Sequence, residues 1–198
     1  MKKILKFSLV LAAVVLTAIQ AHAGNADFSL DLIKEDGKTV SFSLKEVKKI
    51  DLSIYDTNDS LIYQEKVTSE DNINRTYDLT ALPDGIYFLK AESDLKISKY
   101  KIEVVGKKAK LSADAISEVY KPVLVNKNRI VTVNILNLEN TPVTVAIYNS
   151  EENQVYNETL TTDLYVGKIF DLTSAQNGKY TFDITYNGKT FSETVTIK

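Results

Sequence analysis

The sequence predicts an all-β protein: two tandem small antiparallel β-sandwiches of immunoglobulin-like shape, preceded by a cleavable signal peptide. Three observations predict it. Apolar and polar residues alternate with a period of two. Turn residues punctuate the chain at intervals of roughly 8–12 residues. The chain also matches itself at a single offset, the mark of an internal duplication.

The N-terminus comes first. Lys2, Lys3 and Lys6 precede an apolar run, Phe7 to Ile19, and Ala21-His22-Ala23 offers a small-x-small cleavage site. That run is too short for a bilayer-spanning helix and fits the core of a signal peptide. Residues 1–23 are therefore expected to be removed, leaving no membrane span. The chain's one His and one Met leave with them, and the chain has no Cys or Trp. The mature protein thus has no disulfide staples and depends on burial alone.

The repeat places Tyr55 against Tyr148, an offset of 93 residues. Under the same shift Tyr63 meets Tyr156, Glu65 meets Glu158, and Asp78-Leu79-Thr80 meets Asp171-Leu172-Thr173. Gly85 meets Gly178, Tyr87 meets Tyr180, and Val40 and Phe42 fall on Val133 and Ile135 without a gap. The expected organisation is one sandwich over residues 24–105, a linker over 106–114, and a second sandwich over 115–198.

Strand patterns follow in order. In copy one they cover Val40 to Leu44, Ile50 to Ile54, Leu61 to Tyr63, Arg75 to Leu79, Ile86 to Ala91 and Ile97 to Val105. In copy two they cover Ile130 to Leu136, Val143 to Tyr148, Gln154 to Leu160, Tyr165 to Leu172, Lys179 to Tyr186 and Thr190 to Ile197. Asp36-Gly37, Asp84-Gly85, Asn177-Gly178 and Asn187-Gly188 supply turns. Between the copies, Leu111 to Val119 has room for one helical turn.

The segment Leu79 to Tyr87 contains Leu82-Pro83-Asp84-Gly85-Ile86-Tyr87. It reads as a crossing between sheets that re-enters a strand at a tyrosine corner, the Tyr hydroxyl bonding back to the crossing backbone. Gly85 is expected to take positive φ. Asp78, Gly85 and Tyr87, with Asp171, Gly178 and Tyr180 in copy two, are the structural corner residues.

Ile-Tyr-Asp, Leu-Ile-Tyr and Leu-Pro-Asp-Gly-Ile-Tyr-Phe-Leu-Lys, spread over Ile50 to Val104, resemble the C-terminal sorting domain of the type IX (Por) secretion system of Bacteroidetes. Val143 to Ile197 resembles it more weakly. The resemblance implies a small β-sandwich that routes proteins across the outer membrane to the cell surface.

Composition narrows the chemistry. A nucleophile–His relay and a His or thiolate metal site need imidazole or sulfur, and the mature chain has neither. No catalytic residue and no cofactor is expected. The carboxylate pairs Glu35-Asp36, Glu70-Asp71 and Glu151-Glu152 lie in predicted turns, where solvated acids are the rule. Asp56, Asn58 and Asp59 form a weak Ca²⁺ candidate. The EF-hand pattern fails at Leu61 and Val67, and an Asx-rich hairpin turn is the simpler reading. With Arg75 and Arg129 its only arginines and a net charge of -2, the chain is not expected to bind nucleic acid.

The expected function is non-catalytic: an exported protein, in the periplasm, on the outer surface or outside the cell, whose modules serve binding, adhesion or surface structure. Its expected partner is a protein or glycan at the cell envelope. A sorting or surface-anchoring module and a carbohydrate-binding module are the alternatives. The groove between the copies and the strand-end loops are the expected binding surfaces.

Overall fold

The computed structural model describes residues 28–160 and 163–198, so the expected signal peptide lies outside the described residues. Sixteen strands follow one another, with no helix among the described residues. Nine belong to the first half: β1 (Ser29–Asp36), β2 (Thr39–Lys45), β3 (Lys49–Tyr55), β4 (Leu61–Thr68), β5 (Ile73–Asp78), β6 (Gly85–Glu92), β7 (Lys96–Val105), β8 (Lys108–Leu111) and β9 (Ser117–Tyr120). Seven belong to the second: β10 (Val123–Lys127), β11 (Ile130–Leu136), β12 (Val143–Tyr148), β13 (Gln154–Leu160), β14 (Tyr165–Asp171), β15 (Gly178–Tyr186) and β16 (Lys189–Ile197).

In the first half a β1-β2-β5 sheet faces a β4-β3-β6-β7-β8 sheet, and β9 also pairs with β7. In the second, β10-β11-β14 faces β13-β12-β15-β16. The two halves share strand order, and all pairs are antiparallel. Alternation explains the layering, because successive side chains point to opposite faces. Val40, Phe42 and Leu44 of β2 turn inward onto Ile50, Leu52 and Ile54 of β3. Val131, Val133 and Ile135 of β11 do the same against Val143, Val145 and Ile147 of β12. Each sandwich thus closes its own core.

Pairing corrects the repeat register in one place. From β3 onward the offset of 93 holds: Ile54 pairs with Tyr63 and Ile147 with Tyr156. In β2, however, Val40 pairs with Tyr77, and its counterpart beside Phe170 is Val131, not Val133. Copy two carries two extra residues between β11 and β12. A slip of two leaves every side chain on its original face, which is why the apolar pattern hid it.

The expected linker is also corrected. Residues 108–111 form β8, with Ala109 and Leu111 buried in the first core. Gly106, at a φ of 58°, makes the turn that lets Val105 pair with Lys108. Ser117–Tyr120, expected in copy two, pairs as β9 with Lys96–Lys99 of β7. Leu111 to Val119 holds no helical turn. The reason is the length of β7: its free edge would leave a row of backbone groups open, and β8 and β9 each cover one half of it.

The matching edge of β16 has no strand beyond it among the described residues and is blunted by side chains instead. Glu193 stands where β7 has buried Tyr100. Asn126 Nδ2 donates to Thr196 O at 3.4 Å, whereas Glu35, its counterpart in β1, accepts from Leu111 N–H of β8. A charge on the inward-pointing row discourages edge-to-edge pairing.

β9 also ties the halves together. Val119 lies in the second core, Tyr186 Oη donates to Tyr120 O, and Lys121 pairs with Glu92 at 2.8 Å. Burial would raise the Glu92 pKa, but the hydrogen bonds from Lys121 and Lys90 outweigh it, so the carboxyl sits below its usual range. Lys96 is only 4% exposed. Its ammonium donates to Phe28 O at 3.0 Å and to Glu118 Oε1 at 2.9 Å. It also lies 4.6 Å from the Phe28 ring centroid and 5.7 Å from that of Tyr120.

Two aligned glycines differ in kind. Gly178 has a φ of 154°, and a Cβ there would stand 2.7 Å from Ser150 Oγ. Gly85 shows no positive φ, against the sequence expectation, and a Cβ would meet only ordinary contacts at 3.7 Å. Gly178→Ala is therefore expected to cost about 1–3 kcal/mol. Gly85→Ala should fall within about 0.5 kcal/mol of wild type. Urea denaturation of the two variants checks this; equal losses would contradict it.

Candidate functional site

The corner residues sit in matched frames. Tyr87 Oη donates to Pro83 O at 2.9 Å, and Tyr180 Oη donates to Gln176 O at 3.0 Å. Both rings are 8% exposed, so they pack inside rather than face a ligand. Asp78 Oδ1 accepts from Thr80 N at 2.9 Å, and Asp171 Oδ1 from Thr173 N at 2.9 Å.

The Ca²⁺ candidates form the β3–β4 turn. Asp56 Oδ1 accepts from the amides of Asn58 and Ser60, each at 2.8 Å. Asp59 holds a φ of 58°, and its carboxylate lies 3.8 Å from Lys99 Nζ. Asn149 Oδ1 makes the same turn in copy two, accepting from Glu151 N and Asn153 N. Among the described residues, no group of three or more His, Cys, Asp or Glu is placed to hold a metal ion.

Local donors hold these turn carboxylates ionised. The Ser60 amide, and then that of Asn58, lowers the Asp56 pKa. The Thr80 hydroxyl, then its amide, lowers that of Asp78, and Thr173 does the same for Asp171. A folded pKa below the unfolded one stabilises the fold above the unfolded value, and the gain is lost as pH falls through the folded value. The melting temperature should therefore drop as pH falls below about 4. A double variant, Asp78→Asn with Asp171→Asn, should flatten that slope; an unchanged slope would contradict the assignment.

The open side of each sandwich lies between β4 and β5, or β13 and β14. In copy one Arg75 Nε contacts both Glu65 oxygens at 3.1 Å, and Tyr77 Oη donates to Glu65 Oε1 at 2.8 Å. Burial, and then the Glu65 bond, pushes the Tyr77 pKa up. Copy two has Lys168 3.1 Å from Glu158, which also accepts from Tyr156 Oη. Phe170, lacking a hydroxyl, replaces Tyr77. A shallow slot of about 280 Å³ opens there, lined by Glu158, Leu160, Tyr165, Gly167 and Lys168.

The largest difference between the copies lies on the outer face of the smaller sheet. In copy one that face carries Asp31 and Lys34 of β1, Thr39, Ser41 and Ser43 of β2, and Asn74 and Thr76 of β5. These groups satisfy one another: Ser41 bonds Thr76 at 2.8 Å, Lys34 pairs with Asp36, and Lys45 with Asp31. In copy two the matching positions are Val123 and Val125 of β10, Ile130, Thr132 and Asn134 of β11, and Gly167 and Ile169 of β14. Val125 is 51% exposed, Ile169 62% and neighbouring Tyr165 73%. The flanking strands of that face thus leave Val123, Val125 and Ile169 open to water, with Thr132 and Asn134 between them. Sequence reasoning, intent on inward rows, missed it; comparing outward rows between the copies would have found it.

A recess of about 60 Å³ near the junction is lined by Asp51, Glu92 and Lys121 among others, all within the first 121 residues, and the Lys121–Glu92 pair lies in it.

Residues 35–105 match the family described as the secretion system C-terminal sorting domain, over the stretch that carried the resemblance. That domain marks proteins exported to the cell surface or the extracellular space. No curated protein matches the chain. Among solved structures, a biofilm associated protein BSP domain is similar at 15% identity, with 84% of this chain and 29% of that one covered and a TM-score of 0.29. The FN1-FN3 domains of chicken CNTN1 are similar at 8% identity, with 83% and 63% covered and a TM-score of 0.29. Native alpha-2-macroglobulin from Escherichia coli, spanning domains NIE-MG1, follows at 13% identity, 85% and 97% covered and a TM-score of 0.27. The chain spans less than two thirds of the first two. No described helix is long and apolar enough to cross a membrane.

Proposed function

We propose that this chain is a non-catalytic exported protein that acts at the cell envelope by binding, through the outer β10-β11-β14 face of its second sandwich. Its working units are residues 28–121 and 122–198, the first being the sorting-type sandwich with its edge covered by β8 and β9. The observation that carries the reading is the pairwise contrast of outer faces. The matching surface is mostly an ion-paired polar ladder in copy one, with Ile33 exposed at the β1 bulge, whereas in copy two both flanking strands carry exposed aliphatic residues, Val123, Val125 and Ile169. Folding alone does not call for exposed Val125 and Ile169, since polar residues hold the same lane in copy one.

Cosedimentation with a cell-envelope fraction of a type IX-competent bacterium tests it. Wild-type mature protein should pellet with the envelope. Ile169→Lys should lose most of that binding, and Ser41→Lys, on the polar face of copy one, should keep it. Equal binding by both variants would contradict the reading.

The sorting-domain match over residues 35–105 favours a second reading, in which the chain also addresses the envelope export machinery. A periplasmic reporter fused ahead of the full mature chain should then reach the surface. It should stay inside in a host lacking that machinery; equal retention in both hosts would contradict this second reading.

A further inference from the structure

We propose that the outer β10-β11-β14 face docks a second copy of this chain, face to face about a two-fold axis running along β11. The inference rests on the reading of that face as the binding surface, and it names the occupant.

The face is laid out in rows across the three strands. Lys127, Ile130 and Asp171 form one row; Val125, Thr132 and Ile169 form the next; Val123, Asn134 and Gly167 the third. A two-fold axis along the central strand keeps the rows and exchanges the flanking strands. Lys127 of one copy then faces Asp171 of the other, twice over. Val125 faces Ile169, and Val123 faces the gap that Gly167 leaves beside Asn134. Ile130 and Leu136 meet their own counterparts, as do Thr132 and Asn134 between them. The single cation and single anion of these rows thus fall opposite each other, and each aliphatic side chain meets a partner or a space. This self-complementarity is what an isologous interface requires. Aligned packing of two twisted sheets, within about 30°, keeps the rows in reach. The same operation applied to copy one would bring Lys34 onto Thr76 and Asp31 onto Asn74, polar groups already engaged among themselves or solvated; its exposed Ile33, at the β1 bulge beside Lys34, would have Thr76 rather than an aliphatic partner opposite it.

Size sets the strength. Three strands about 4.8 Å apart and seven residues at about 3.4 Å each give a footprint of roughly 340 Å² per copy. A standard interface buries about 800 Å² on each side. The pair is therefore weak and concentration-dependent, exchanging freely.

Sedimentation equilibrium of the full mature chain from about 1 µM to about 1 mM tests this. The apparent mass should climb from one chain toward two. Ile169→Lys and Val125→Glu, both at exposed positions, should each weaken association roughly tenfold or more. An equimolar mixture of the two variants should recover the dimer, because the introduced lysine of one copy meets the introduced glutamate of the other. Thermal melts of each variant serve as the control for folding. A wild type that stays monomeric throughout, variants that associate like wild type, or a mixture that stays monomeric would each overturn the proposal. Should wild type be monomeric while Ile169→Lys still abolishes envelope binding, the face serves another ligand: the dimer fails and the binding reading stands. Should the dimer form and respond to the variants while envelope binding does not, the dimer stands and the binding reading fails.

Discussion

Phe182→Ala is expected to remove about 3–5 kcal/mol of stability, the cost of deleting a large ring from a closed core. Phe182 is fully buried on β15. Its ring meets Phe170 edge-on at 5.4 Å between centroids, and Phe170 meets Tyr156 at 5.1 Å. That aromatic chain lies within the buried core of the second sandwich. Because the two buried clusters are separate, the loss should fall on the second sandwich. A calorimetric scan should show its transition lowered by more than roughly 10 °C, with that of the first sandwich nearly in place. A loss under about 1 kcal/mol would contradict the packing.

Lys96→Met is expected to cost about 2–3 kcal/mol. The thioether keeps the apolar stem but leaves Phe28 O and Glu118 without the ammonium that bonds both. Removing one member of a buried pair is costly because the other stays behind uncompensated. Glu118 is about a third exposed, so water relieves part of that cost and the figure sits below the full range. Urea denaturation measures it. A change under about 0.5 kcal/mol would show that the β7–β9 joint does not depend on this cation.

Most of the fold is legible in the sequence because alternation reports burial directly. Val143 to Tyr148 and Lys179 to Tyr186 read as strands and are strands, since each is half buried. What stays hidden has a physical reason in each case. β8 is four residues with two lysines facing water, and only its place beside the long β7 makes it a strand. β9 draws its apolar Val119 into a core that belongs to the following sandwich. The two-residue slip in β11 preserves every face. Gly85 carries the same residue type as Gly178 in a backbone that does not require it. The tyrosine hydroxyl bonds could be read from spacing because they are local, four residues back. The outer face of copy two could not be read from either copy alone; Val123, Val125 and Ile169 become informative only beside Asp31, Lys34 and Thr76. Function in a duplicated protein of this kind is sought where the copies diverge on the surface, and their shared residues hold the corner.

The central claim is a doubled sandwich in which the first copy covers its open edge with β8 and β9, while in the second no strand among the described residues pairs with the edge of β16. Amide hydrogen exchange on the mature chain tests it most directly. The amides of Ala109, Leu111, Ile116 and Lys121, bonded to Gly37, Glu35, Lys99 and Leu95, should exchange slowly. Those of Ser192 and Thr194, the β16 counterparts of Lys99 and Lys101, should exchange quickly. Rapid exchange across residues 108–121, as a loose connector would give, would contradict the account.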